Sequence, residues 1–250
     1  MPLDIETGQS AAPPRILIYG IEGIGKSTLG AAAPKPIFIQ TEDGLGQIAC
    51  ARFPLASTLG AVTSNLAALA TETHDYETVV VDSLDWLERL VWDDVCRRFN
   101  VEGIERADGG YGKGYTHALT AWRRVVSQLG VLRDRGMAVI LIAHAQIERF
   151  ADPEVGEYDR YSPRIHKKAA ALWVEWCDVV GFATRKMRIE ESEGSGFKAR
   201  AMARPIGADG GERVLRCVGS PACVAKNRFN LPAELPLSWD ALMAGLSREV

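Results

Sequence analysis

The segment Gly20-Ile21-Glu22-Gly23-Ile24-Gly25-Lys26-Ser27 fits the pattern G-x-x-x-x-G-K-[ST] at every fixed position. Its glycines let successive backbone N–H groups turn toward an anion that a side chain would keep away. Lys26 is spaced to reach the β- and γ-phosphates of a nucleotide as a point charge, and Ser27 to offer its hydroxyl to Mg²⁺. Gly20, Ile21, Glu22, Gly23, Ile24, Gly25, Lys26, Ser27 and Thr28 are the residues expected around ATP. A second acid suits the same chemistry: Thr78-Val79-Val80-Val81-Asp82 is an apolar run ending in a carboxylate that would support the Mg²⁺. Glu42, in Thr41-Glu42-Asp43-Gly44, would polarise a water attacking the γ-phosphate, with Asp43 as the alternative. His144 and Gln146 follow the most apolar run of the chain, and either could hydrogen-bond that phosphate.

Such residues have to be delivered to one place. Arg15-Ile16-Leu17-Ile18-Tyr19 reads as a buried strand before the glycine loop, and the residues from Ser27 onward as a helix start. Ile37–Gln40, Thr78–Asp82 and Met137–Ala143 are further strands, alternating with helical patterns through residue 145. That alternation predicts an α/β fold with a mostly parallel sheet flanked by helices, its ligand beyond the carboxyl ends of the strands. Ser83 is a plausible cap for the helix after Asp82. Beyond a helix over Lys167–Cys177, the stretches 178–184, 197–204 and 213–218 predict an antiparallel C-terminal extension, closed by a short helix over 238–246. Residues 1–14 read as a disordered leader and 15–250 as a single domain.

Two stretches suit single-stranded nucleic acid, where bases stack on rings and phosphates meet cations. Val101–Thr116 is Gly-rich, with Tyr111, Lys113 and Tyr115 interleaved, and no regular element is expected there. Ile147–Ile165 reads as a long irregular loop, and no acid interrupts Arg160, Tyr161, Arg164, Lys167 and Lys168. Ordinary solvated loops would look the same, so both readings stay open.

With 47% hydrophobic and 24% charged residues among 250, the composition is that of a soluble globular protein. A net charge of −3 excludes a wholly basic nucleic-acid coat protein but not a local groove. No apolar run approaches the ~20 residues of a membrane span, and the first residues lack a secretory pattern. Five scattered cysteines without C-x-x-C point to a reducing, cytoplasmic setting, and four histidines without ligand spacing argue against zinc.

On Gly20–Ser27, Ile37–Gly44, Thr78–Ser83, Val139–His144 and Lys226–Arg228 running into Leu231-Pro232, the chain resembles the RecA-like P-loop ATPases, and within them the phage-type single-strand annealing and recombination proteins. The resemblance implies a Mg²⁺-dependent ATP hydrolase with Glu42 as base and His144 where the superfamily commonly has Gln. It also implies that Lys226 and Arg228 enter the ATP site of a neighbouring subunit. The implied partners are further copies of the chain in a ring or filament, single-stranded DNA and a single-strand binding protein, in the bacterial cytoplasm. A ring-shaped helicase or loader on the same fold, and a nucleotide-dependent scaffold that never touches DNA, remain alternatives.

Overall fold

The structure, a computed structural model, describes residues 12–191, 201–207 and 210–246. Residues 1–11 of the expected leader, and 197–200 of one expected strand, lie outside the described residues. In chain order the elements of the first half are β1 (Arg15–Gly20), α1 (Lys26–Ala31), β2 (Pro36–Gln40), β3 (Ala51–Arg52), α2 (Leu59–Thr71), β4 (Thr78–Asp82) and α3 (Leu84–Phe99). Then come α4 (Lys113–Asp134), β5 (Ala138–Asp152), β6 (Gly156–Pro163), α5 (Lys167–Trp176) and β7 (Val179–Arg185). The last part holds β8 (Met187–Glu191), β9 (Ala201–Pro205), β10 (Arg213–Arg216), β11 (Lys226–Asn227), β12 (Glu234–Pro236) and α6 (Trp239–Leu246).

The strands are ordered β12-β10-β7-β1-β5-β4-β2-β3. From β7 to β3 every pairing is parallel, whereas β10 and β12 add antiparallel strands beyond β7. This is the expected mostly parallel sheet with an antiparallel C-terminal extension, but of the stretches expected in that extension β7 runs parallel to β1 and β9 pairs with β8 in a separate two-stranded sheet. Both faces are covered, so the central strands are apolar on every residue rather than on alternate ones. Leu17, Val79, Val81, Val139 and Leu141 pack with α2–α5 on one face. Ile16, Ile18, Val80, Ile140 and Ile142 pack with α1 and α6 on the other. Trp122 of α4 and Trp173 of α5 are both fully buried and meet edge to face at 5.4 Å, which fixes α5 against the first layer.

Two segments differ from the sequence-based expectation. Within Val101–Thr116, Ile104–Gly109 forms a 3-10 helix and α4 already begins at Lys113. The glycines are spent on a turn in which Asp108, Gly109, Gly110, Tyr111 and Gly112 all have positive φ. The supposed loop Ile147–Ile165 is instead a hairpin: β5 runs on to Asp152 and β6 returns antiparallel from Gly156, in register from Ala145↔Pro163 to Asp152↔Gly156. Its outward residues alternate charged and apolar, a weak strand signal easily taken for a polar loop.

The start of α5 is tied to α3 by Glu88, whose carboxylate accepts the His166 backbone N–H at 2.9 and 3.0 Å. Burial pushes this carboxyl up to about 7, against the pull of the His166 N–H. Since the folded value lies above the ordinary 4.5, its contribution to stability is full below that value and is lost as pH rises through about 7. Glu88→Gln keeps an acceptor for His166 without a buried charge. Urea midpoints measured on either side of neutrality should therefore fall less with rising pH in the variant than in the parent, and an identical fall in both would refute the assignment.

Candidate functional site

The carboxyl ends of β1, β2, β4 and β5 meet at one cavity of about 440 Å³. Gly20 ends β1 so close to the Ala183 carbonyl of β7 that a β-carbon would collide with it. Gly25, at φ 107°, lies where other residues are strained, and it carries the chain from the loop into α1. Lys26 is buried and donates to the carbonyls of Gly20 at 3.1 Å and Ile21 at 2.9 Å, lying along the loop. Burial lowers its pKa, opposed by the carboxylates of Asp82, Asp85, Glu42 and Glu22.

Ser27 Oγ donates to Asp82 Oδ2 at 2.6 Å. Burial raises the Asp82 carboxyl above its usual range, with the Ser27 hydrogen bond working against it. Among the described residues no cation pairs with Asp82 within 4 Å. A buried carboxylate without a direct ion-pair contact, beside a hydroxyl and with both on the cavity, is the hard-oxygen donor set that suits Mg²⁺ held jointly by protein and phosphates.

Glu42 and His144 also line the cavity. Thr41 and Ser83 clasp the ends of β2 and β4: Thr41 Oγ1 donates to the Ser83 carbonyl at 2.7 Å and accepts the Ser83 N–H at 2.9 Å. This holds Glu42 over the site, where its Oε2 accepts from Ser83 Oγ at 3.2 Å. Ser83 stands at the N-cap of α3 but its side chain makes no capping hydrogen bond, because its hydroxyl serves Glu42 instead. Asp43 is exposed and is not part of the cavity wall.

Asp85 is a site residue that sequence reasoning took only as part of a helix start. Its carboxylate accepts the His144 backbone N–H at 3.0 Å and the imidazole Nδ1–H at 3.0 Å, and Arg164 Nη2 at 2.9 Å. Burial would raise this carboxyl, yet the hydrogen bonds from His144 and Arg164 outweigh it and hold the carboxyl well below the usual range. His144 Nδ1 also lies 3.9 Å from Glu42 Oε2. The signal was an acid in the first turn of the helix that follows the Asp82 strand, and so at the same sheet edge. Gln146 lies farther along the hairpin and donates to the Pro163 carbonyl at 3.3 Å. Arg213 of β10 was also missed: its guanidinium lies 3.0 Å from where a β-carbon on Gly25 would stand.

The nucleic-acid set divides. Arg160 is held by Glu148 at 2.8 Å and lies over the Phe150 ring, so its charge is already matched across the hairpin. Tyr161 stacks on Phe182 at 4.7 Å, which occupies the ring face expected to meet a base. Arg164 belongs to the cavity network and not to a surface stripe. Lys113, Lys167 and Lys168 are exposed, and Lys168 Nζ reaches Thr116 Oγ1 at 3.4 Å, while Tyr115 stacks on His166 at 4.2 Å. The glycine turn and the start of α5 thus form one face, with the fully exposed Tyr111 at its edge.

Lys226 and Arg228 lie at the opposite end of the sheet, where β11 pairs with the first residues of β7. Lys226 Nζ donates to the carbonyls of Val174 and Glu175 at 2.8 and 2.7 Å, capping the end of α5. Arg228 reaches Asp178 at 3.2 Å. Their side chains do share one side, as strand alternation requires, but their own chain employs them there.

The chain is 31% identical over 169 residues to the SPbeta prophage-derived uncharacterized protein YorG of Bacillus subtilis (strain 168), which covers 66% of this chain and 49% of that protein. It therefore spans about half the length of the relative. Among solved structures, the crystal structure of the RadB recombinase aligns with a TM-score of 0.39 at 14% identity, over 77% of this chain and 86% of that one. Residues 12–229 match the AAA domain family, so the chain, with its phosphate loop, is a member of the AAA domain family.

Proposed function

We propose that the protein hydrolyses ATP with Mg²⁺, assembles with itself, and binds single-stranded DNA in phage or prophage annealing or recombination. The observation that supports the chemistry best is that Lys26 and Ser27 after β1, Glu42 after β2 and Asp82 at the end of β4 line one cavity. Lys26 would neutralise phosphate charge. Ser27 and Asp82 would hold Mg²⁺, which when bound draws charge from the phosphates. Glu42, held by Ser83, would orient the attacking water and take its proton. Lys226 and Arg228 are left out of this mechanism, since capping α5 and pairing with Asp178 occupy both.

DNA is favoured by the face built from Tyr111, Lys113, Lys167 and Lys168, where exposed cations adjoin an exposed ring. The test is binding of a labelled single strand across a salt series with ATP present. Each lysine that meets a phosphate contributes about 0.7 to the slope of log affinity on log salt. Lys167→Gln together with Lys168→Gln should therefore lower the slope by about 1.4. Tyr111→Ala should weaken binding with little change of slope. An unchanged slope in the double variant would move the contact off this face, and no binding at low salt would remove DNA from the proposal.

A further inference from the structure

Arg164 follows β6 directly, and its backbone N–H donates to the His144 carbonyl at 2.8 Å, closing the root of the hairpin. Its guanidinium spans two acids of different standing. Nη2 donates to Asp85, whose side chain is only 4% exposed, at 2.9 Å. Nη1 lies 3.5 Å from Glu22, whose side chain is 75% exposed and belongs to the phosphate loop. The first contact is an anchor, whereas the second is an open surface pair of the kind that contributes little and exchanges readily. Glu22 lines the nucleotide cavity, so the pair bridges the cavity rim. The same three carboxylates, Glu22, Glu42 and Asp85, act on both Lys26 and Arg164, which places the two cations around one site.

We propose that Arg164 contacts the terminal phosphate of a bound nucleoside triphosphate from within the same chain. It would exchange Glu22 for that phosphate while Asp85 keeps hold of the other side of the guanidinium. Arg164 would then be the residue that distinguishes a nucleoside triphosphate from a diphosphate. Arginine suits this work because its planar fork has donors enough for a fixed acid and a phosphate at once. Lys26 alone, lying along the loop, is aimed at the phosphate chain and would meet diphosphate and triphosphate alike. The exchange would also reach the hairpin, because the backbone of Arg164 is bonded to His144 at the root.

This rests on the reading of the cavity as an ATP site, and the experiment separates the two. Calorimetry would measure the affinity of the intact chain for a non-hydrolysable ATP analogue and for ADP, each with Mg²⁺. Losing a charge-assisted contact made only by the terminal phosphate should weaken the analogue about 10- to 100-fold in Arg164→Ala and leave ADP within about twofold. Arg164→Gln, which can still hydrogen-bond Asp85 and so protects the fold, should show the same selective loss, and Arg164→Lys should recover part of it. Equal weakening of both ligands, or an unchanged ratio in the folded Gln variant, overturns the proposal. Unaltered affinity for both ligands after Lys26→Ala would instead overturn the ATP site itself.

Discussion

Lys26→Ala is expected to weaken nucleotide binding by about two orders of magnitude or more and to end turnover, because a buried charge-assisted contact to phosphate disappears with nothing nearby to replace it. The fold should survive. In the structure the ammonium is a buried cation whose charged form burial disfavours more than the nearby carboxylates favour it, hydrogen-bonded to two loop carbonyls, so its removal relieves about as much desolvation as it loses in attraction. Urea unfolding of the variant should accordingly match the parent within about 1 kcal/mol. Glu42→Gln makes an instructive contrast. It keeps the size of the side chain and a hydrogen-bond acceptor for Ser83, so nucleotide should still bind while turnover falls. Parental turnover in Lys26→Ala would make the loop a coincidence of sequence. Parental turnover in Glu42→Gln would transfer the base to another residue.

The other large effect concerns stability and lies at the far end of the sheet. Asp178 is nearly buried and accepts from the Arg15 backbone N–H at 3.1 Å and from its guanidinium, and it also pairs with Arg133 at 3.9 Å and Arg228 at 3.2 Å. One carboxylate thus joins the starts of β1 and β7, the end of α4 and the residue after β11. Asp178→Ala leaves three guanidinium groups facing one another without their anion. A loss of about 3 kcal/mol is expected, as for other ion networks broken from one side. Burial works against the Asp178 charge, but the Arg15 bonds prevail and hold its carboxyl below the usual range. Its contribution is therefore present above the unfolded carboxylate value and is lost as pH falls through the folded one. Acid unfolding should begin at higher pH in strains of the protein with a weakened Asp178 network, such as Arg15→Gln. A loss below about 1 kcal/mol in Asp178→Ala would show that the arginines are adequately solvated without it.

How far the sequence could be read depended on the range of the interaction that decides each element. Central strands announce themselves because both faces are buried, so Ile16-Leu17-Ile18 and Val79-Val80-Val81 are apolar at every residue. The phosphate loop is legible because its glycines, lysine and serine are contiguous. Glu42 and Asp82 could be placed on the same edge because parallel strands present their carboxyl ends together. Asp85, Arg164 and Glu22 could not be joined, because their meeting depends on the hairpin returning Arg164 beside His144. For the same reason Arg160 and Arg164 looked like neighbours on one basic stripe. In the structure, Arg160 pairs across the hairpin and Arg164 turns into the site. Lys226 and Arg228 show the opposite limit. Their alternation was readable, but which end of the sheet would receive them was not, since that follows from the antiparallel pairing of β11 with β7.

β5 continues without a break from the buried core at Val139 to the hairpin tip at Asp152, roughly 43 Å at the usual rise per strand residue. Mechanically this makes the hairpin a cantilever. Its root is clamped by the Arg164–His144 bond and by Tyr161, whose N–H and carbonyl are bonded to Ala222 and Val224. A load on the tip would reach the clamp as torque on the strand lying beside the phosphate loop, with no loose joint between to absorb it. The tip itself, a turn held by Asp152 accepting the N–H groups of Glu154 and Val155, carries none of the core's burden. Extra residues spliced into that turn would lengthen the lever and leave its fulcrum untouched.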